Sequence, residues 1–182
     1  MQIILVRHGR PDFRDGAPIA PRELRSWIER YNRAGIVGEP PDAAVRSAAT
    51  ATIVSSPTKR AVESARRLAR GREIVTCEVF READLPHSLW RWPKLPPAWW
   101  VVLFRLAWYC GFGGQAETAS AATTRAGEAA ENLIALAGDG GVILLVGHGI
   151  MNSMIAKQLL ARGARGPGLA RSQYWGCSSY RL

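Results

Sequence analysis

Two histidines occupy matching settings 140 positions apart, and the residues around them define what chemistry this chain can support. His8 lies in Val6-Arg7-His8-Gly9, directly after the apolar run Ile3-Ile4-Leu5-Val6. His148 lies in Val146-Gly147-His148-Gly149, directly after Gly141-Val142-Ile143-Leu144-Leu145-Val146. A neutral imidazole nitrogen can attack phosphorus, and a neighbouring guanidinium can hold anionic oxygens in a bidentate way. Phosphoryl transfer asks for a nucleophile, positive charge on the equatorial oxygens and a proton for the leaving group. The third histidine, His87, sits among Leu85, Pro86 and Ser88 and reads as a loop residue.

The elements that must position these groups follow from the apolar patterning. Both runs before the histidines are rich in β-branched residues and leucine, which predicts short strands buried on both faces of a parallel sheet. Strands that end in His-Gly deliver their imidazoles to the carboxyl edge, where open α/β sheets place ligands. Ala51–Ser55 predicts a further strand, followed by Ser56 as N-cap and Pro57 as first residue of a helix running to about Arg70. Arg60 then falls in the first turn of that helix, where free backbone N–H groups also favour an anion. Gly149, with no Cβ, lets the backbone approach a phosphate closely.

The remaining chain alternates in the same manner. Helices are predicted over Pro21–Ala34, with Leu24, Trp27, Ile28 and Tyr31 facing the core, and over Glu117–Ala137 and Gly149–Arg162. Short strands are predicted at Ile74–Cys77 and within Gln173–Leu182, and Gly35–Asp42 reads as loop. This alternation implies an α/β fold, a single three-layer domain over residues 1–182 with a mostly parallel central sheet flanked by helices. Trp-rich, apolar sequence at about 88–114 interrupts it; five of the seven tryptophans lie there. We read that insertion as a buried helix or a lid lining a hydrophobic pocket, with an interfacial membrane helix as the alternative.

Taken together, Val6-Arg7-His8-Gly9, Ser55-Ser56-Pro57-Thr58-Lys59-Arg60-Ala61 and Val146-Gly147-His148-Gly149 resemble the motifs of the histidine phosphatase superfamily, which includes the cofactor-dependent phosphoglycerate mutases. The resemblance implies His8 as nucleophile, with Arg7, Arg60 and His148 on the transferred phosphoryl group and Gly149 against it. It also implies a carboxylate acid from the loop after a middle strand, for which Glu82 fits best, Asp84 second and Asp12 third. Where mutases and sugar bisphosphatases of that family carry an acidic or amide residue after Arg-His-Gly, this chain has Arg10-Pro11-Asp12. A phosphatase acting without metal or other cofactor on a small phosphate ester, with a hydrophobic body suited to the tryptophans, is the leading expectation. A phosphomutase on the same site competes with it, as does a non-catalytic phosphoryl-binding or membrane-associated module.

Composition agrees with an anionic ligand. The net charge is +9, and lysine occurs only at positions 59, 94 and 157, so nearly all the cations are arginine. No basic helix interleaved with aromatics stands out, which makes nucleic acid the weaker partner, and a membrane surface is not favoured either. Cys77, Cys110 and Cys177 are odd in number and widely spaced, arguing against a disulfide framework or a zinc site. With no secretory pattern at the N-terminus, a cytoplasmic location is expected.

Overall fold

Strand β1 (Gln2–Arg7) sends Ile3 and Leu5 to one face of the sheet and Ile4 and Val6 to the other, and all four are buried. That two-sided burial sets the layering of the computed structural model, which describes residues 1–114 and 116–182. Four more strands complete the sheet: β2 (Thr52–Ser55), β3 (Ile74–Thr76), β4 (Val142–Gly147) and β5 (Cys177–Arg181). Their order is β3-β2-β4-β1-β5. The first four strands run parallel, and only β5 is antiparallel, against β1.

Among the described residues six α-helices accompany the sheet: α1 (Leu24–Arg33), α2 (Asp42–Ala48), α3 (Lys59–Ala69), α4 (Pro97–Tyr109), α5 (Ala119–Ala137) and α6 (Gly149–Ala161). On one face Ala122, Ala126, Ala129 and Leu133 of α5 and Met151, Ile155 and Leu159 of α6 cover Ile3, Leu5, Ile143 and Leu145. On the other, Ala44 and Ala48 of α2 and Ala61, Ala65 and Leu68 of α3 cover Ile4, Val6, Ile53 and Leu144. Alanine at so many helix positions lets the helix backbones lie close to the strands. The three-layer α/β architecture is the one the alternation of elements implies.

Several local expectations are corrected. Helix α3 starts at Lys59, with Thr58 in extended conformation at the N-cap, not at Pro57 after a Ser56 cap. Ser56 is occupied otherwise: its N–H donates to Val146 O at 3.0 Å, and its Oγ lies 2.8 Å from His148 Nε2. Arg60 keeps its place in the first turn regardless. Helix α2 was not foreseen; Pro41 has the extended backbone of an N-cap, so the Pro-Pro pair that forbids helix before it also starts one after it. In α1 only Leu24 is buried, while Trp27 and Tyr31 stack on each other at 5.4 Å outside the core.

The Trp-rich insertion is not a buried helix. Pro97, Trp100 and Trp108 are the buried residues of α4, Val101 and Phe104 are half-buried, and Trp99, Val102, Leu103, Leu106 and Tyr109 are exposed. The physical reason is that both faces of the sheet are already covered by α2, α3, α5 and α6, leaving α4 only a peripheral seat. Arg105 tethers it there by donating to Ala83 O at 3.0 Å and Asp84 O at 3.1 Å.

Because Leu144 is fully buried in the central strand β4, Leu144→Ala is expected to lower stability by about 3 kcal/mol in urea denaturation.

Candidate active site

The register between β1 and β4 brings the two histidines together. Val6 pairs with Val146 and Arg7 with Gly147, and the ladder continues one step further through His8 N–H to Gly147 O at 3.0 Å. The imidazole rings meet edge to face, with centroids 5.2 Å apart and planes at 63°. Both are almost fully enclosed, with His8 2% and His148 1% exposed. A Cβ added to Gly9 would come 2.5 Å from the Trp175 ring, so this position after the histidine has room only for glycine.

Hydrogen bonds set the tautomer of His8. Its Nδ1 lies 2.7 Å from Gly9 O, and a carbonyl can only accept, so Nδ1 carries the proton and donates. Nε2 therefore holds the lone pair, and it accepts from Arg60 Nε at 3.1 Å. Arg60 also donates from Nη1 to Asn32 Oδ1 at 2.8 Å, and its Nη2 lies 3.4 Å from His148 Nδ1. On its other side His148 places Nε2 2.8 Å from Ser56 Oγ and 3.2 Å from Thr58 Oγ1.

Both histidines are held neutral. Burial is the main cause for His8, whose pKa is lowered to about 3; the Arg60 charge adds to this, and Arg7 contributes less. His148 is likewise held well below its usual range, by burial first and then by Arg60 and His8. Among the described residues neither Arg7 nor Arg60 forms an ion pair with a carboxylate. Aromatic faces take that place: the Arg7 guanidinium lies 4.5 Å from the Tyr174 ring centre, and that of Arg60 lies 4.8 Å from Tyr31. Arg7 Nη1 also donates to Ser172 O, while its buried Nε has no acceptor among the described residues. Two guanidinium groups, two uncharged imidazoles and an unmatched donor make a positively charged, anion-seeking centre.

Glu82 stands at the start of α6, where its carboxylate accepts from Met151 N at 2.9 Å and Ile150 N at 3.4 Å. Asp84 instead pairs with Arg81 at 3.1 Å, and Asp12 is exposed. Gly149 opens α6 beside Arg7; a Cβ there would meet Arg7 Cζ and Nε at an ordinary 3.8 Å, so the close contact is with that guanidinium. Sequence reasoning missed Ser56, Asn32 and Ser172 as partners, and missed the two tyrosines over the arginines. Tyr31 carried a signal, its place on an amphipathic helix, but one that pointed to the core. Its phenol is pushed up to about 12 by burial and then by the neighbouring Tyr174 hydroxyl. Nothing in the tail around Tyr174 marked it.

The sequence profile of the histidine phosphatase superfamily (branch 1) matches residues 42–174, well over half of the chain. The chain belongs to that superfamily. The matched stretch holds Arg60, Glu82 and His148, and the Arg7-His8-Gly9 motif precedes it in sequence and joins it in space through β1. No curated protein sequence matches the chain. Among solved structures, a phosphoserine phosphatase from Entamoeba histolytica in complex with phosphoserine superposes with a TM-score of 0.62 at 14% identity, covering 98% of this chain and 89% of that one. A mycobacterial glucosyl-3-phosphoglycerate phosphatase gives 0.58 at 21% identity over 88% of this chain and 79% of that one. A Bacillus stearothermophilus protein, YhfR, gives 0.57 at 18% identity over 88% and 80%. At such identities these likenesses show a shared fold.

A histidine buried in the neutral form makes the folded protein bind fewer protons than the unfolded chain once pH drops below 6.5, so stability falls with pH from there toward about 3. For His8 alone the loss between pH 6.5 and pH 5 is expected to be about 2 kcal/mol in urea titrations, and His8→Gln is expected to remove that share of the pH dependence.

Proposed function

We propose that this protein is a metal-independent phosphomonoesterase that works through a phosphohistidine at His8. The observation that carries this reading is the Nδ1–H tautomer of His8, with Nε2 unprotonated and accepting from Arg60, a guanidinium that no carboxylate pairs with among the described residues. Superfamily membership supports phosphatase or mutase chemistry on a phosphate ester, and the relatives of the same fold include phosphatases named for phosphoserine and glucosyl-3-phosphoglycerate.

In the first step Arg60 Nε–H moves its hydrogen bond from His8 Nε2 to a phosphate oxygen, and the freed lone pair attacks phosphorus. The P–N bond forms as the ester P–O bond breaks, and the leaving alkoxide takes the proton of the Glu82 carboxyl. Arg7, Arg60 and His148 hold the equatorial oxygens through this transfer, with Gly149 beside Arg7. In the second step water attacks phosphorus and gives its proton to Glu82. The P–N bond then breaks, releasing inorganic phosphate and neutral His8. Throughout, Nδ1–H stays on Gly9 O, which keeps the ring oriented. Glu82 is preferred to Asp84 as the acid because α6 amides orient it beside the centre, whereas Asp84 is turned to Arg81.

A substrate with an apolar or aromatic body is supported by the cluster next to Arg60. Phe13 meets Trp27 and Tyr31 edge-on at 5.3 and 5.7 Å, and Tyr31 is the residue that stacks on the arginine. Through Tyr31 this cluster adjoins Arg60, whose Nε donates to His8.

Hydrolysis of p-nitrophenyl phosphate in EDTA is expected for the native chain, with at least about a thousandfold loss in His8→Ala. Loss of turnover on chelation, or full activity in His8→Ala, contradicts the mechanism. Glu82→Gln is expected to slow alkyl phosphates by about a hundredfold and p-nitrophenyl phosphate much less, because p-nitrophenolate leaves without a proton. Asp84→Asn is expected to leave both rates near native; the reverse ranking assigns the acid to Asp84.

A further inference from the structure

Helix α4 is apolar on two sides, and only one of them is packed. Trp100 and Trp108 are buried, with indole N–H groups donating to Ile19 O at 2.8 Å and Glu117 O at 2.5 Å, and Phe104 stacks on Trp100 at 5.6 Å. These three recur every four residues and form the seated side. Trp99, Val102, Leu103, Leu106 and Tyr109 form a second stripe at helical spacing, and all five are exposed, Trp99 by 62% and Leu106 by 58%. A surface helix ordinarily presents charged or polar residues to water along that line.

The exposure continues beyond both ends of the helix. Phe112 after it and Leu89, Trp90 and Trp92 before it are all exposed. Between Asp84 and Glu117 the sequence contains no acidic residue, while Arg91, Lys94 and Arg105 lie within that interval. Arg105 is spent on the carbonyls of Ala83 and Asp84, but Arg91 and Lys94 are exposed. Arg22 N–H donates to Trp90 O at 3.1 Å, which brings a further exposed cation beside that tryptophan.

An apolar stripe with tryptophans at its margins and cations beside them has the chemistry of a helix lying in the headgroup region of an anionic bilayer. Among the described residues no helix is long and apolar enough to cross a membrane. The contact is therefore with the surface. A second copy of this chain fits less well, since it would set Arg91 and Lys94 against cations of the same segment on a molecule of net charge +9. We infer that the outer stripe of α4, with the segment leading into it, docks on an anionic lipid surface. This holds independently of the proposed phosphatase chemistry.

The test is co-sedimentation of the full chain with phosphatidylcholine vesicles, alone or containing about one-third phosphatidylglycerol, with tryptophan quenching by brominated lipid as a second readout. Binding at least about tenfold tighter to the anionic vesicles, weakening as salt rises, is expected. The pair Leu103→Gln with Leu106→Gln is expected to abolish binding and quenching while leaving p-nitrophenyl phosphate turnover and the circular dichroism spectrum native. Arg91→Gln with Lys94→Gln is expected to reduce binding to the level of neutral vesicles. No binding by the native chain, equal binding to both vesicles, or retained binding in the leucine pair overturns the inference. So does a dimer in solution that the leucine pair dissociates, which assigns the stripe to a second copy.

Discussion

The parallel pairing of β1 with β4 is the constraint on which the rest of the centre depends. A slip of one residue would turn every β1 side chain to the opposite face and carry His8 away from His148. Asn152 of α6 helps to fix the pair, donating from Nδ2 to Val6 O at 3.1 Å while its Oδ1 packs against Gly147 so closely that a Cβ there would collide. The same helix offers its first amides to Glu82. One helix start thus ties together both histidine-bearing strands and the carboxylate.

Around this frame the electrostatics are built by withholding countercharge. Burying a guanidinium without a carboxylate is costly in general, and here the π faces of Tyr31 and Tyr174 soften the cost without neutralising the charge. A carboxylate in either place would have satisfied the arginine and removed its attraction for a phosphate. Keeping the imidazoles uncharged suits the proposed chemistry as well, since an imidazole nitrogen that is to attack phosphorus must be free of a proton.

The sequence disclosed the parts of this design that depend on local grammar. An apolar run ending in His-Gly is legible as a buried strand reaching a sheet edge. Arg60 was placed correctly even though α3 begins two residues later than Ser56-Pro57 indicated, because either start leaves position 60 in the first turn. What stayed hidden depends on contacts between distant segments. Tyr31 reads as a core residue until the loop bearing Tyr174 is seen beside it, and α4 reads as buried until the other helices are seen to have covered the sheet. The order Glu82, Asp84, Asp12 rests on resemblance alone in the sequence, because the α6 amides that hold the Glu82 carboxylate come from a distant segment.

The tyrosines that cushion the arginines have a consequence in time as well as in charge. Tyr31 and Tyr174 stand over Arg60 and Arg7, and the Tyr174 ring centre lies 5.7 Å from that of His8, whose imidazole is almost without contact with solvent. For the proposed ester hydrolysis, a ligand would reach His8 only with these rings displaced, and apparent affinity would then be diluted by the fraction of time they stand apart. Any such opening would belong to α1, which carries Tyr31, and to the Ser172–Gly176 loop, which carries Tyr174.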